Sequence, residues 1–105
     1  MEKKIYKKLV EDFFNLIETK IEEKYDNIDV DRGESIIKIT DNKTEIIVNT
    51  QEPLNQIWIA SRKNGYQFSY TENSQWYDKR KQISIEKCLK EIFKEQYKID
   101  LNIFD

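Results

Sequence analysis

Histidine is absent from this sequence, and cysteine occurs once, at Cys88. No internal disulfide can form, and there is no Cys/His set for zinc. Ser-His-Asp and Cys-His constellations are excluded with the His-ligated metals, as is the usual side chain for proton transfer near neutral pH. No apolar run approaches the roughly 18 residues that a membrane-spanning helix needs. The start, MEKKIYKKLVEDFF, mixes lysines with acids, so it has neither the apolar stretch of a signal peptide nor the composition of a transit peptide. These absences lead to the expectation of a soluble protein in a reducing, cytoplasmic compartment.

What remains is the material of one small domain. A chain of 105 residues has room for a single core and no linker, burying roughly 65% of the surface its unfolded form exposes. Charged residues make up 36% and aromatic residues 12%, a balance too aromatic for a disordered tail. Residues 3 to 25 carry Ile5, Leu9, Phe13, Leu16, Ile17 and Ile21 at the spacing of an amphipathic helix. From Asn27 the period changes to two: Ile28 and Val30 against Asp29 and Asp31, then ESIIKIT and TEIIVN with TDNK as the turn between them. After QIWIASRK, YQFSY and a short strand around QWYD, Ser84 caps a second helix carrying Ile85, Cys88, Leu89, Ile92 and Phe93. The tail, with Ile99, Leu101, Ile103 and Phe104, is apolar enough to cover an open edge of the core. The expected fold class is α+β: a two-layer sandwich in which the N- and C-terminal helices pack on one face of a mainly antiparallel sheet of five to six strands.

Trp58 stands apart in this reading. In NTQEPLNQIWIAS, Ile57 and Ile59 point one way while Gln56, Trp58 and Ala60 point the other. Asn64-Gly65 suggests a two-residue hairpin, which sets Lys63 opposite Tyr66, Ile59 opposite Tyr70 and Trp58 opposite Thr71. Both lines of reasoning put Trp58 on the wetter, more polar face, where a tryptophan suits an interface. Trp76 reads as packing, Cys88 as an inert buried thiol, and Pro53 and Gly65 as structural.

Net charge is only −2, but it is unevenly divided. Nine acids and three bases between Glu11 and Glu34 give −6, leaving +4 for the rest. Glu11, Glu18 and Glu22 fall within about 40° on a helix and form a solvent stripe, read as lying nearly opposite Leu9, Phe13 and Leu16. Asp29 and Asp31 share a face or edge of the next strand and would prolong it. The helix starts with Lys3, Lys4, Lys7 and Lys8 and ends with Glu18, Glu22, Glu23 and Asp26, the reverse of what the macrodipole favours by about 0.3 to 1 kcal/mol per charge. A solvated, solubilising face explains charge of this kind in many proteins. Self-repulsion and the inverted dipole favour two sharper readings: loose uptake of a hard cation or Fe2+ that keeps its water, or docking on a basic partner.

The stretch NTQEPLNQIWIAS, with NGYQF and QW after it and the acid-laden first helix and DNIDVD before it, resembles the frataxin family in its bacterial branch across essentially the whole chain. The resemblance implies a role in iron-sulfur cluster assembly with weakly bound iron, Fe2+ or Fe3+. It implies docking on the cysteine desulfurase and the iron-sulfur scaffold protein, by a monomer able to form iron-dependent oligomers. Carried over by position, the metal-binding ridge would be Glu11, Asp12, Glu18, Glu22, Glu23, Asp26, Asp29 and Asp31, and the partner contacts Asn49, Gln51, Gln56 and Trp58. Catalysis is not expected, because carboxylates such as Glu18 and Glu22 on a wet stripe lack the burial that would separate their pKa values. Lys79, Arg80 and Lys81 on a net acidic chain do not make a nucleic-acid surface.

Overall fold

A computed structural model describes residues 1–41 and 43–104. The turn expected over 40–43 includes Asn42 and so lies partly outside the described residues. Helix α1 runs from Lys3 to Lys24 and is followed by strands β1 (Asp29–Arg32), β2 (Ile36–Thr40) and β3 (Glu45–Gln51). A short 3-10 turn, Glu52–Leu54, leads into β4 (Gln56–Ala60), β5 (Gly65–Tyr70), β6 (Trp76–Asp78) and β7 (Ile83–Ser84); helix α2 spans Ile85–Tyr97. The strands lie side by side in chain order, and every neighbouring pair is antiparallel. The α+β sandwich expected from the sequence is the fold found, with seven strands in place of five or six. The extra strand, β7, has two residues, too few to show an alternation.

Alternation decides which face is dry. Ile37 and Ile39 of β2, Ile46 and Val48 of β3, Ile57 and Ile59 of β4 and Phe68 of β5 are all buried beneath the helices. Helix α1 adds Tyr6, Val10, Phe13, Phe14, Ile17 and Ile21, and α2 adds Ile85, Cys88, Leu89, Ile92 and Phe93. Each large side chain buried in this way stabilises by about 1.5–3 kcal/mol. Leu101 and Ile103 of the tail join them, and the tail is tied to the end of α1: Asn102 N donates to the Tyr25 hydroxyl at 3.2 Å and Lys24 Nζ donates to the Asn102 carbonyl. Ser84 caps α2 as expected, accepting from Lys87 N at 3.2 Å. Burial pushes the Cys88 thiol up to about 12, which fits an inert core residue.

Two expectations from the sequence need correction. The β4–β5 link is a four-residue turn, not a two-residue one: Ala60 lies opposite Gly65, Ile57 opposite Phe68 and Trp58 opposite Gln67. Ser61 causes the difference, because its N–H donates to the Asn64 carbonyl at 2.8 Å and its hydroxyl bonds the Asn64 backbone at 3.2 Å. The slip is even in number, so no side chain changes face. In α1 the core face is centred on Tyr6, Val10, Phe14 and Ile17, leaving Leu9 and Leu16 half-buried and Ile5 exposed.

One buried acid was not anticipated. Asp78, 1% exposed, accepts from Gln67 N at 2.9 Å, Arg80 N at 2.9 Å and Lys81 N at 3.0 Å, locking β5, β6 and the 79–82 turn ahead of α2. Burial alone would push its carboxyl up; the three N–H donors outweigh burial and hold it below the usual carboxylate value. Asp78→Ala should cost about 2–4 kcal/mol in urea unfolding, since buried donors lose their acceptor. A carboxyl depressed in the folded state contributes stability that is present above its unfolded pKa of about 4 and is lost as pH falls through the lower folded value. The acid limb of the stability curve should therefore flatten in Asp78→Asn, and an unchanged limb would remove Asp78 from this role.

Candidate functional site: an acidic helix flank beside an open sheet face

On a helix that turns about 100° per residue, Glu11, Glu18 and Glu22 lie roughly 110° round from the centre of the buried face of α1. They form a shoulder of the helix and do not stand opposite the core, as the sequence had suggested. That shoulder overlooks β1, the edge strand of the sheet. Arg32 of β1 reaches up to it, donating to Glu18 Oε1 at 3.2 Å and to Asn15 Oδ1, with its guanidinium 5.8 Å from the centre of the Phe14 ring. Glu18 is thus answered by a cation of the chain itself. Asp12 pairs with Lys8 at 2.9 Å and Glu23 with Lys20 at 4.0 Å, both exposed pairs of small energetic value. Glu11, Glu22, Asp26, Asp29 and Asp31 form no ion pair among the described residues.

Strand β1 splits its side chains between two surfaces. Val30 and Arg32 turn toward the helices, while Asp29 and Asp31 share the open face, where they lie opposite Thr40 and Lys38 of β2. The two strand acids therefore sit round the edge from the helix stripe and do not prolong it directly. The candidate metal ligands do not share one surface: Glu11, Glu18 and Glu22 lie on the shoulder, Asp12 and Glu23 roughly 110° further round α1, and Asp29 and Asp31 on the open face of the sheet. Among the described residues no three acidic or cysteine side chains gather into a group fit to hold a metal ion.

The four expected partner-contact residues do come together. Register sets Asn49, Trp58 and Gln67 in one row across β3, β4 and β5, and Gln51, Gln56 and Ser69 in the next. Trp58 Nε1 donates to Gln56 Oε1 at 2.7 Å, Gln56 Nε2 donates to Ser69 Oγ at 3.1 Å, and Gln51 Nε2 donates to Asn49 Oδ1 at 3.1 Å. Trp58 is half-buried by these neighbours, less exposed than its strand alone suggested. A flat indole fixed by an amide presents a rigid apolar surface at little further entropic cost, which favours binding. Gln67 and Ser69 lie on this face as the alternation of β5 requires, with the register placing them opposite Trp58 and Gln56; Ile47, opposite Ala60, joins them and was not anticipated.

Two helices on one face of an antiparallel meander, with the other face open and polar, define a frataxin-type two-layer sandwich. A sequence model of the frataxin-like domain matches residues 1–99. The iron-sulfur cluster assembly protein CyaY of Aeromonas hydrophila is 40% identical over 76 residues, covering 71% of this chain and 72% of that protein. Its counterpart in Psychromonas ingrahamii is 37% identical over 73 residues, 69% of each chain. The solved structure of frataxin from Psychromonas ingrahamii superposes with a TM-score of 0.91 at 28% identity, covering 100% of both chains. The chain belongs to the frataxin-like (CyaY) family.

The two tryptophans should separate in a quenching experiment. Trp76 is 5% exposed and should be shielded from iodide, leaving a quenchable component that Trp58→Phe removes. Trp58→Ala should lower stability by only about 1 kcal/mol; a loss above about 3 kcal/mol would make Trp58 a core residue.

Proposed function

We propose that this chain is a non-enzymatic, iron-responsive adaptor of iron-sulfur cluster assembly. The acidic flank of α1 takes up Fe2+ weakly and steers a basic surface of the cysteine desulfurase complex, while the Trp58 face supplies a second contact, toward the scaffold protein. Membership of the frataxin-like family supports the pathway, since the relatives described above are named for iron-sulfur cluster assembly.

The observation that carries the reading is the placement of the acids. Glu11, Glu18 and Glu22 crowd one shoulder of a helix whose first turn contains no acid and whose N-cap, Glu2, makes no side-chain capping bond. Helix stability alone favours acids at the other end. Carboxylates spaced along an exposed flank suit a hard cation that keeps much of its water, with the side chains acting through field and outer contacts. The same field raises the rate of encounter with a basic partner and is screened by salt within about 10 Å at 0.1 M. Iron here is cargo or signal; the protein's part is to concentrate it beside the docking face. Arg32, held on Glu18, competes for the middle of that flank and keeps affinity low. A second reading, in which the flank serves docking alone, is favoured by the three acids already paired with Lys8, Lys20 and Arg32.

Anaerobic Fe2+ titration followed by NMR should broaden resonances selectively within residues 11 to 31 at sub-millimolar metal. No selective change would leave docking as the only role. Capture of the desulfurase should fall by about tenfold or more in the Glu18→Lys, Glu22→Lys double variant and on moving from low to high salt. Indifference to both would reject docking by the flank.

A further inference from the structure

The acidic border accounts for one half of the charge division; the +4 carried by the rest of the chain has a structural counterpart of its own. Between the 61–64 turn and the last turns of α2 lies a groove of about 750 Å³. Arg62 and Lys63 line it from the turn, Lys94 from the helix and Lys98 from its C-cap, with Tyr66 and Ile92 among its other walls. Two carboxylates also line it, Glu91 and Glu95. Glu95 is taken up by Lys63 at 2.9 Å, an interaction that holds its carboxyl below the usual range. Among the described residues Arg62, Lys94 and Lys98 make no ion pair, and Glu91 is the one lining carboxylate outside a pair.

The groove is preformed. Gln96 binds its walls together, accepting from Arg62 N at 3.2 Å and donating to Thr44 Oγ1 at 3.0 Å and to the Glu45 carbonyl at 3.2 Å. Tyr97 adds a hydroxyl bond to the Ile39 carbonyl at 2.9 Å. The negative end of the α2 dipole explains cations at Lys94 and Lys98, and Lys98 Nζ does donate to the Glu95 carbonyl at 3.0 Å. It does not explain Arg62, which arrives from a different element with a guanidinium suited to paired oxygens.

We propose that this groove binds a small multivalent oxyanion of the phosphate type. Arg62 and Lys94 would supply charge-assisted hydrogen bonds from opposite walls, and Lys98 would add charge at the rim. Glu91 and the negative end of the α2 dipole lower affinity for any anion, but the lining cations outnumber the carboxylates, so the net attraction grows with the charge of the anion. The groove shares no lining residue with the acidic flank.

The test is an NMR titration with sodium pyrophosphate and, separately, with ATP, each against sodium chloride at matched ionic strength. Shifts confined to residues 61–66 and 91–98, with half-saturation at about 1 mM or below, are expected for pyrophosphate. Equal affinities assign recognition to the oxyanion alone, and tighter ATP binding adds a contribution from the nucleoside; either supports the site. The Arg62→Ser, Lys94→Ser double variant alters exposed side chains, so it should unfold at the parent temperature while binding about tenfold more weakly. Absence of shifts, equal shifts over Lys3 to Lys8, or unchanged binding in the double variant would overturn the proposal.

Discussion

Everything on the surface of this protein depends on the strict two-residue alternation of one uninterrupted antiparallel meander. Because both helices lie on the same face, every second residue of β2, β3 and β4 is committed to the core, and the residues between are committed to water. Trp58 lies on the open face because Ile57 and Ile59 point into the core. The rows formed by Asn49, Trp58 and Gln67, and by Gln51, Gln56 and Ser69, follow from the same pairing, so the amide-rich face needs no separate device to hold it together. A one-residue slip would bury the tryptophan and expose the isoleucines, at a cost of many kcal/mol.

The acidic border is arranged by the same constraint. As the edge strand, β1 offers its helix-facing residues to α1 and its alternate residues to the open face. Arg32 takes the first course and meets Glu18, while Asp29 and Asp31 take the second. The negative border therefore wraps the edge of the sheet, with its middle partly neutralised by a guanidinium. Such a border can attract a cation or a basic surface over a distance without fixing either in a rigid cage. That property suits the weak, reversible contacts proposed for the chain. It also explains why the acids are tolerated at the unfavourable end of α1: repulsion among exposed charges costs tenths of a kcal/mol each, small against a core of this size.

Most of the architecture was legible in the sequence, because helices and strands of this length declare their periods. Ser84 could be read as a cap, and the isoleucine pairs fixed the dry face of the sheet. Three features were not legible, each for a local physical reason. The hairpin register was misread because Asn64-Gly65 is a strong turn signal, whereas the Ser61 hydroxyl and N–H close a longer turn that composition does not reveal. Of the residues that mark the helical period, Phe13, Ile17 and Ile21 are in the core, but Ile5, Leu9 and Leu16 pull the apparent phase away from Tyr6, Val10 and Phe14, which complete it; Tyr6 goes inward because its hydroxyl finds the Gln56 carbonyl at 2.6 Å. Asp78 gave no warning, since a buried acid is recognisable only once its three N–H partners are in place. The four sheet-face residues could be grouped through the family resemblance and strand parity. The division of the acids between two surfaces required knowing which side of β1 faces the helix.

The central claim is that the acidic edge and the Trp58 face act as one docking border, and hydroxyl-radical footprinting of the chain alone and in complex with the desulfurase and its scaffold tests it directly. The account predicts protection of Trp58, Gln56 and the segment from Glu18 to Asp31 on complex formation, with the 61–66 turn and the exposed side of α2 as reactive as in the free chain. Protection centred on α2 and that turn, with Trp58 unchanged, would contradict it.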